Sequence, residues 1–395
     1  MLDSFLSALP RKTFILSSLL LVPVACGPTT KSVGEDAAGT SGESSAGLVD
    51  SGTGTDAEGP QNDSISSSAG GDTGDGSPDP TQDSGSDVDC ANLPDPVVRP
   101  LEGNITASAA IAFDAEGHLV GSDEWDIYRS RYDGTRELYL AIQQRAGLEY
   151  LTTGDLVVAD ELESSFTLVR ADGSQATLLS GLRTAYGTAA DLEGHIYVTD
   201  HNQIYRVNPE TGETISVLPE AYEVSDAFWE WLDQAENEEN VGEPPDVGDA
   251  VGPRVITFDR DYASLLIGSA FSDWIYRLPL GQDGRGGTPV KWGRIPVGAS
   301  QMPANGRFID GVGVDVCGNV YVADYETSAL YRIPPEGGEG VLLVQWNDET
   351  YGHGIAWGSG IDGWDERAIY LPQPYNSAAV VEVQIGVPSK RRAFP

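Results

Sequence analysis

One phrase recurs six times along residues 105–385: a small or polar position, usually glycine, an apolar pair, a glycine seven positions on, then a β-rich run. The fullest copy is Asp310-Gly311-Val312-Gly313-Val314 with Gly318, followed by Val320-Tyr321-Val322-Ala323-Asp324 and Ala329-Leu330-Tyr331-Arg332-Ile333. Gly147 to Gly154 and Gly187 to Gly194 open the same succession, ahead of Leu156–Asp160 and Ile196–Asp200. Weaker copies begin at Ala109, Arg254 and His353.

Each copy reads as an apolar inner strand, a tight turn such as Glu193-Gly194, a Val/Tyr-rich second strand and a third strand of Ile-Tyr-Arg type. Outer fourth strands are expected at Glu137–Ile142, Ala176–Leu179, Thr214–Leu218, Pro289–Arg294 and Gly340–Trp346. The sixth copy lacks one, and residues 97–106 can supply it, so that the front of the domain closes the ring with its back. Four-stranded repeats of about 40 residues are what propeller blades need. The expected fold is all-β, a six-bladed β-propeller over residues 90–386, with an insertion at 219–252 and a tail at 387–395.

The preceding residues have another character. Arg11-Lys12 ahead of the apolar run Phe14–Ala25 reads as a leader peptide, too short to span a bilayer. It ends in Val22-Pro23-Val24-Ala25-Cys26, which resembles a bacterial lipoprotein signal and implies lipidation of Cys26; an ordinary signal peptide is the other reading. Gly27, in place of an aspartate after the cysteine, favours the outer membrane by the same resemblance. Residues 27–89 are Ser, Gly, Asp and Thr with almost no large apolar side chains, which reads as a disordered, self-repelling tether. Thirteen acids face one base there; with one net positive charge on residues 1–26, the total of −38 leaves −27 on residues 90–395. Such acidity argues against nucleic acid as a partner.

If Cys26 is lipidated, Cys90 and Cys317 are the remaining pair in an oxidising compartment. Cys317 falls in the first turn of blade five, and the strand beginning near residue 97 should start on that same face. The seven residues between can reach about 23 Å. A disulfide is expected, with two buried thiols as the alternative.

The repeats resemble six-bladed propellers of the NHL and gluconolactonase (senescence-marker) type across roughly residues 97–386. In gluconolactonase-like proteins, that resemblance implies, a divalent metal such as Ca or Zn sits at the top of the bore. Its ligands would be a Glu near the first blade, an Asn in a Pro-Asn-Gly phrase and an Asp in an Asp-Gly phrase. Asp310-Gly311 matches the last of these. Arg254, after Pro253, stands where the Asn would fall, and no Glu-Gly-Pro phrase precedes Ile111. No cofactor is therefore expected; a metal on Asp310 belongs to the hydrolase alternative.

Aligning the copies places Ala109, Ala146, Tyr186, Arg254, Asp310 and His353 around one mouth of the bore. Tyr186, Arg254, Asp310 and His353 can bind an anionic or hydroxylated ligand, with Asp310 or His353 as a general base. They can equally pair among themselves and plug the bore. His118 and His195 fall in strand turns, and Asp200 and His201 read as surface residues near the mouth; Trp346, Trp357 and Trp364 read as packing between blades five and six, with stacking on a sugar the alternative for an exposed Trp364. In the insertion, Ser225 can cap a helix whose Phe228, Trp229, Trp231 and Leu232 form an apolar face, either as a lid over the mouth or packed on the rim. Two functions stand: recognition of a protein or glycan by a surface-tethered propeller through its insertion-bearing face, or a lactonase- or esterase-type hydrolase acting through the ring; the partner is a protein, a glycan or a small-molecule ligand.

Overall fold

The computed structural model describes residues 88–390 apart from 102–104, 124, 143–145, 236–244, 297–308, 326, 347–351 and 374–378. The expected leader, Cys26, nearly all of the acidic segment and residues 391–395 lie outside the described residues. The described strands form six sheets, antiparallel but for one added two-residue strand, each running from an inner to an outer strand, and the chain is a six-bladed β-propeller.

From the bore outward, blade one is Ala112–Phe113, Leu119–Ser122, Ile127–Ser130 and Arg136–Leu140. Blade two is Leu148–Tyr150, Leu156–Asp160, Ser165–Val169 and Gln175–Ser180. Blade three is Thr188–Ala190, Ile196–Thr199, Ile204–Val207 and Thr214–Ser216. Blade four is Pro253–Phe258, Ser264–Ser269, Trp274–Pro279 and Val290–Arg294, with the two-residue strand Gly338–Glu339 added in parallel. Blade five is Ile309–Val314, Val320–Asp324, Ala329–Ile333 and Val341–Gln345. Blade six takes Ala356–Trp357, Ala368–Gln373 and Ala379–Gln384 from the end of the chain and its outer strand, Val97–Pro100, from the front. That closure sets Val97 opposite Gln384 and Pro100 opposite Val381.

The repeated residues have separate tasks. Second strands such as Ile196–Thr199 are buried along their whole length because a neighbouring blade covers each face, hence their unbroken apolar runs. The first glycine of a phrase lets adjacent inner strands touch backbone to backbone. A Cβ on Gly187 would lie 2.5 Å from the Arg254 carbonyl oxygen, and one on Gly311 2.7 Å from the carbonyl of Gly354. The second glycine turns the chain: Gly194 and Gly318 have φ of 87° and 85°, open to glycine at no steric cost. The arginine of the third strand ties down the first turn of its own blade, as Arg129 Nε to Asp114 at 3.0 Å, Arg170 to Asp155 at 2.9 Å and Arg277 to Asp259 at 2.8 Å.

Aromatic pairs fill the wedges between blades. Tyr197 meets Phe258 edge to face at 5.1 Å between blades three and four, and Tyr321 meets Trp357 at 5.6 Å between five and six. Trp364 is 1% exposed, packed on Phe113 of blade one at 5.0 Å and on Tyr370 at 4.9 Å. It is a packing residue as expected, but between blades six and one rather than five and six, and too buried for the alternative role of sugar platform.

Cys90 and Cys317 form the disulfide, their Cα atoms 5.6 Å apart. It clips the start of the domain to the first turn of blade five. The helix of the insertion is Asp226–Ala235, with Ser225 Oγ accepting from Phe228 N–H at 3.4 Å. Phe228 and Trp229 are buried against Phe271 in the connection between the second and third strands of blade four, at 4.8 and 5.7 Å. The helix thus packs on the rim. Leu232's side chain lies outside the described residues. Residues 387–390 are not a free tail: Pro388 O accepts from Val316 N–H at 3.1 Å, and Lys390 N–H donates to Val314 O at 2.9 Å.

Candidate functional site

Four of the six positions aligned at the mouth converge on one carboxylate. Asp310 Oδ1 accepts from the Tyr186 hydroxyl at 2.5 Å and from Arg254 Nε at 2.7 Å, and His353 Nδ1 lies 3.0 Å from Oδ2. Arg254 also donates through Nη2 to the Tyr186 oxygen at 2.5 Å, and its guanidinium carbon sits 3.9 Å from the centre of that ring. Ala109 and Ala146, from blades one and two, are buried and leave room for these larger groups.

The inner strands aim the central pair by the same device twice. Register shifts between Pro253 and Val255, opposite Ser269 and Gly268, and again between Ile309 and Gly311, opposite Asp324 and Ala323. Arg254 and Asp310 are the extra residues of two β-bulges, left out of the ladder and turned toward each other.

Burial alone would raise the Asp310 carboxyl, but Arg254 and His353 overcome it and hold that group well below the usual carboxylate range. For Arg254 burial acts downward, and the charge of Asp310 more than restores the guanidinium. Burial, joined by Asp310, pushes the Tyr186 hydroxyl far up, so it remains a donor. The ring therefore holds a guanidinium and a carboxylate that neutralise each other, with a neutral phenol between them. A divalent ion on Asp310 would sit beside the guanidinium that already occupies Oδ1 and be repelled by it.

His201 joins this cluster. It is buried rather than on the surface as its sequence context suggested, and so is Asp200, whose carboxylate accepts from Asn202 and Gln203 N–H groups. The reason is a left-handed backbone at His201, φ 65°, which folds the imidazole back onto Tyr186 with ring centres 5.4 Å apart. A histidine just past a second strand was the only trace of this in the sequence. Burial, with Arg254 close by, pushes its pKa down to about 3.

The unfolded chain therefore takes up a proton on His201 below about pH 6.5, whereas the folded protein does not until far lower pH. The stability this gives is complete above that value and declines as pH falls. Between pH 6.5 and 5 the expected loss is on the order of 2 kcal/mol. Urea midpoints at the two pH values should show it, and His201→Asn, which tolerates the left-handed backbone, should flatten the difference; equal slopes in both proteins would contradict the assignment.

Two other groupings carry metal-ligand side chains, Asp114-Glu116-His118 and Asp191-Glu193-His195. Both are first turns of their blades at the opposite face. Asp114 Oδ1 accepts from the N–H groups of Glu116 and His118 at 3.0 and 2.8 Å, and Asp191 does the same for Glu193 and His195 at 2.9 and 2.8 Å. Arg129 neutralises Asp114, and the Arg206 guanidinium lies against the His195 ring. These are structural turns.

From the mouth cluster downward the bore holds a partly open cavity of about 230 Å³, lined by inner-strand backbone and, beyond the cluster, by Glu149, Thr188, Thr257, Tyr262 and Lys390. Lys390 was not legible as part of it, since nothing in Pro388-Ser389-Lys390 marks a return to the bore.

The sequence matches no protein-family model and no curated protein. Solved structures do match. The chain is similar to a gluconolactonase from Xanthomonas campestris, at 16% identity and TM-score 0.55, over 76% of this chain and 92% of that one. It is similar to a luciferin-regenerating enzyme at 14% identity and TM-score 0.53, over 76% and 99%. An auxiliary nutrient binding protein from Bacteroides thetaiotaomicron matches at 10% identity and TM-score 0.53, over 75% and 78%. Repeat, blade order and these likenesses together give the chain the fold of the gluconolactonase-like six-bladed propellers.

Proposed function

We propose that this protein is a recognition propeller, held at the bacterial outer membrane by a lipid on Cys26, that binds a protein or glycan through the face bearing the insertion. The observation that carries this reading is the pairing of buried Asp310 with Arg254 and Tyr186 through Oδ1, with the His353 ring beside Oδ2. A hydrolase of the lactonase type would need that carboxylate for a metal or as a base, and here it is buried, paired with a guanidinium and held well below the usual carboxylate range. By strand parity the same face carries Trp125, which is 60% exposed, and the insertion helix with half-buried Trp231, both suited to contact with a sugar or an apolar side chain. The nutrient binding protein of the same fold is in keeping with a binding role.

The test uses the full chain. Glycan arrays and cross-linking to surface proteins should yield a ligand whose binding drops at least about tenfold in Trp125→Ala or Trp231→Ala, as loss of an aromatic anchor does. Lactone hydrolysis should stay at background with added calcium, zinc or manganese, and Cys26→Ser should move the protein to the soluble fraction. Metal-dependent hydrolysis lost in Asp310→Asn would replace this function with the hydrolase.

A further inference from the structure

At the end of the bore opposite the ring, the chain places a single amine. The segment Pro388–Lys390 pairs with the end of the blade-five inner strand, Ser389 bridging Asp315, and this turns the Lys390 side chain under the bore. Its Nζ donates to Thr257 Oγ1 at 3.2 Å and to the Phe258 carbonyl, and lies 4.8 Å from the centre of the Tyr262 ring. Both oxygen partners are neutral. Among the described residues no carboxylate comes within ion-pair reach of this amine: Asp259, nearest in sequence to these partners, is already held by Arg277 at 2.8 Å. Glu149 and Asp310 are the carboxylates lining the cavity, and Asp310 is bound in the mouth cluster.

We propose that Lys390 is a nucleophilic amine that condenses with a small carbonyl compound, an aldehyde or ketone of a few carbon atoms, at the lower end of the bore cavity. The nitrogen lone pair adds to the carbonyl carbon, the carbonyl oxygen leaves as water with both amine hydrogens, and a C=N bond replaces C=O. Nothing is oxidised or reduced, and Glu149 is the carboxylate in the same cavity that can carry the proton. The step needs a neutral amine, and the site supplies one: burial pushes Lys390 down to about 7, against the opposing charges of Glu149 and Asp259. An amine of ordinary basicity is neutral in fewer than about one molecule in a thousand at pH 7.

The chain carries its own comparison, since Lys291 lies exposed on the outer strand of blade four. The full-length protein would be treated with acetaldehyde and cyanoborohydride between pH 6 and 9, and N-ethylation at each lysine followed by peptide mass spectrometry. At pH 7, Lys390 should label at least about tenfold faster than Lys291, with the ratio falling as pH rises. Lys390→Met should lose the fast site and keep its thermal transition. Equal or slower labelling of Lys390 at pH 7 would overturn the proposal. So would a ratio that does not change with pH, because it would show an amine of ordinary basicity on an undocked chain end.

Discussion

Arg254→Met lowers the stability of the domain by about 3–5 kcal/mol, the usual cost of stranding one partner of a buried ion pair. Asp310 would be left with Tyr186 and His353 around a carboxylate that is buried and negatively charged. Replacing both partners, as Arg254→Met with Asp310→Leu, removes the stranded charge and should cost well under half as much. Denaturant unfolding of both single variants and the double variant closes a thermodynamic cycle, with a coupling of at least about 2 kcal/mol expected. A coupling near zero would mean that the two side chains do not share one buried site. The same variants bear on function: if Arg254→Met acquires affinity for calcium or zinc while the natural protein has none, the guanidinium is what keeps the ion out.

Removing the disulfide is the second large effect. Cys90 and Cys317 are separated by 227 residues, and the chain-entropy relation for a loop of that length gives about 5 kcal/mol of stabilisation. Cys90→Ser with Cys317→Ser should therefore shift the unfolding midpoint strongly, and mild reduction of the natural protein should shift it equally. An unchanged midpoint after verified reduction would show that closure rests on the strand ladder alone.

What was legible in the sequence follows from where the constraints are local. Gly187 and Gly311 are fixed by backbone contact between inner strands, and Gly194 and Gly318 by turns. Counting between them located the blades and placed Tyr186, Arg254, Asp310 and His353 at one mouth, although the bulges that aim Arg254 and Asp310 were not visible. Cysteine parity with strand direction brought out the Cys90–Cys317 pair. What escaped depends on tertiary context. Asp200-His201 has the composition of a surface turn, and only the left-handed conformation buries the imidazole. Trp364 lies in a blade-six connection that folds back over Phe113 and Tyr132 of blade one. Lys390 is positioned by hydrogen bonds to residues more than a hundred positions earlier in the chain.

The clip at Cys90 has a mechanical consequence. The closing strand Val97–Pro100 is held by four residue pairs at the outer edge of blade six, and a pull on its front end would unzip it one pair at a time. Cys90 precedes it. Tension arriving along the chain ahead of Cys90 passes through the sulfur bridge into the turn of blade five and bypasses Val97 altogether. Load applied ahead of Cys90 would therefore fall on a covalent bond while the seam of the ring stays slack.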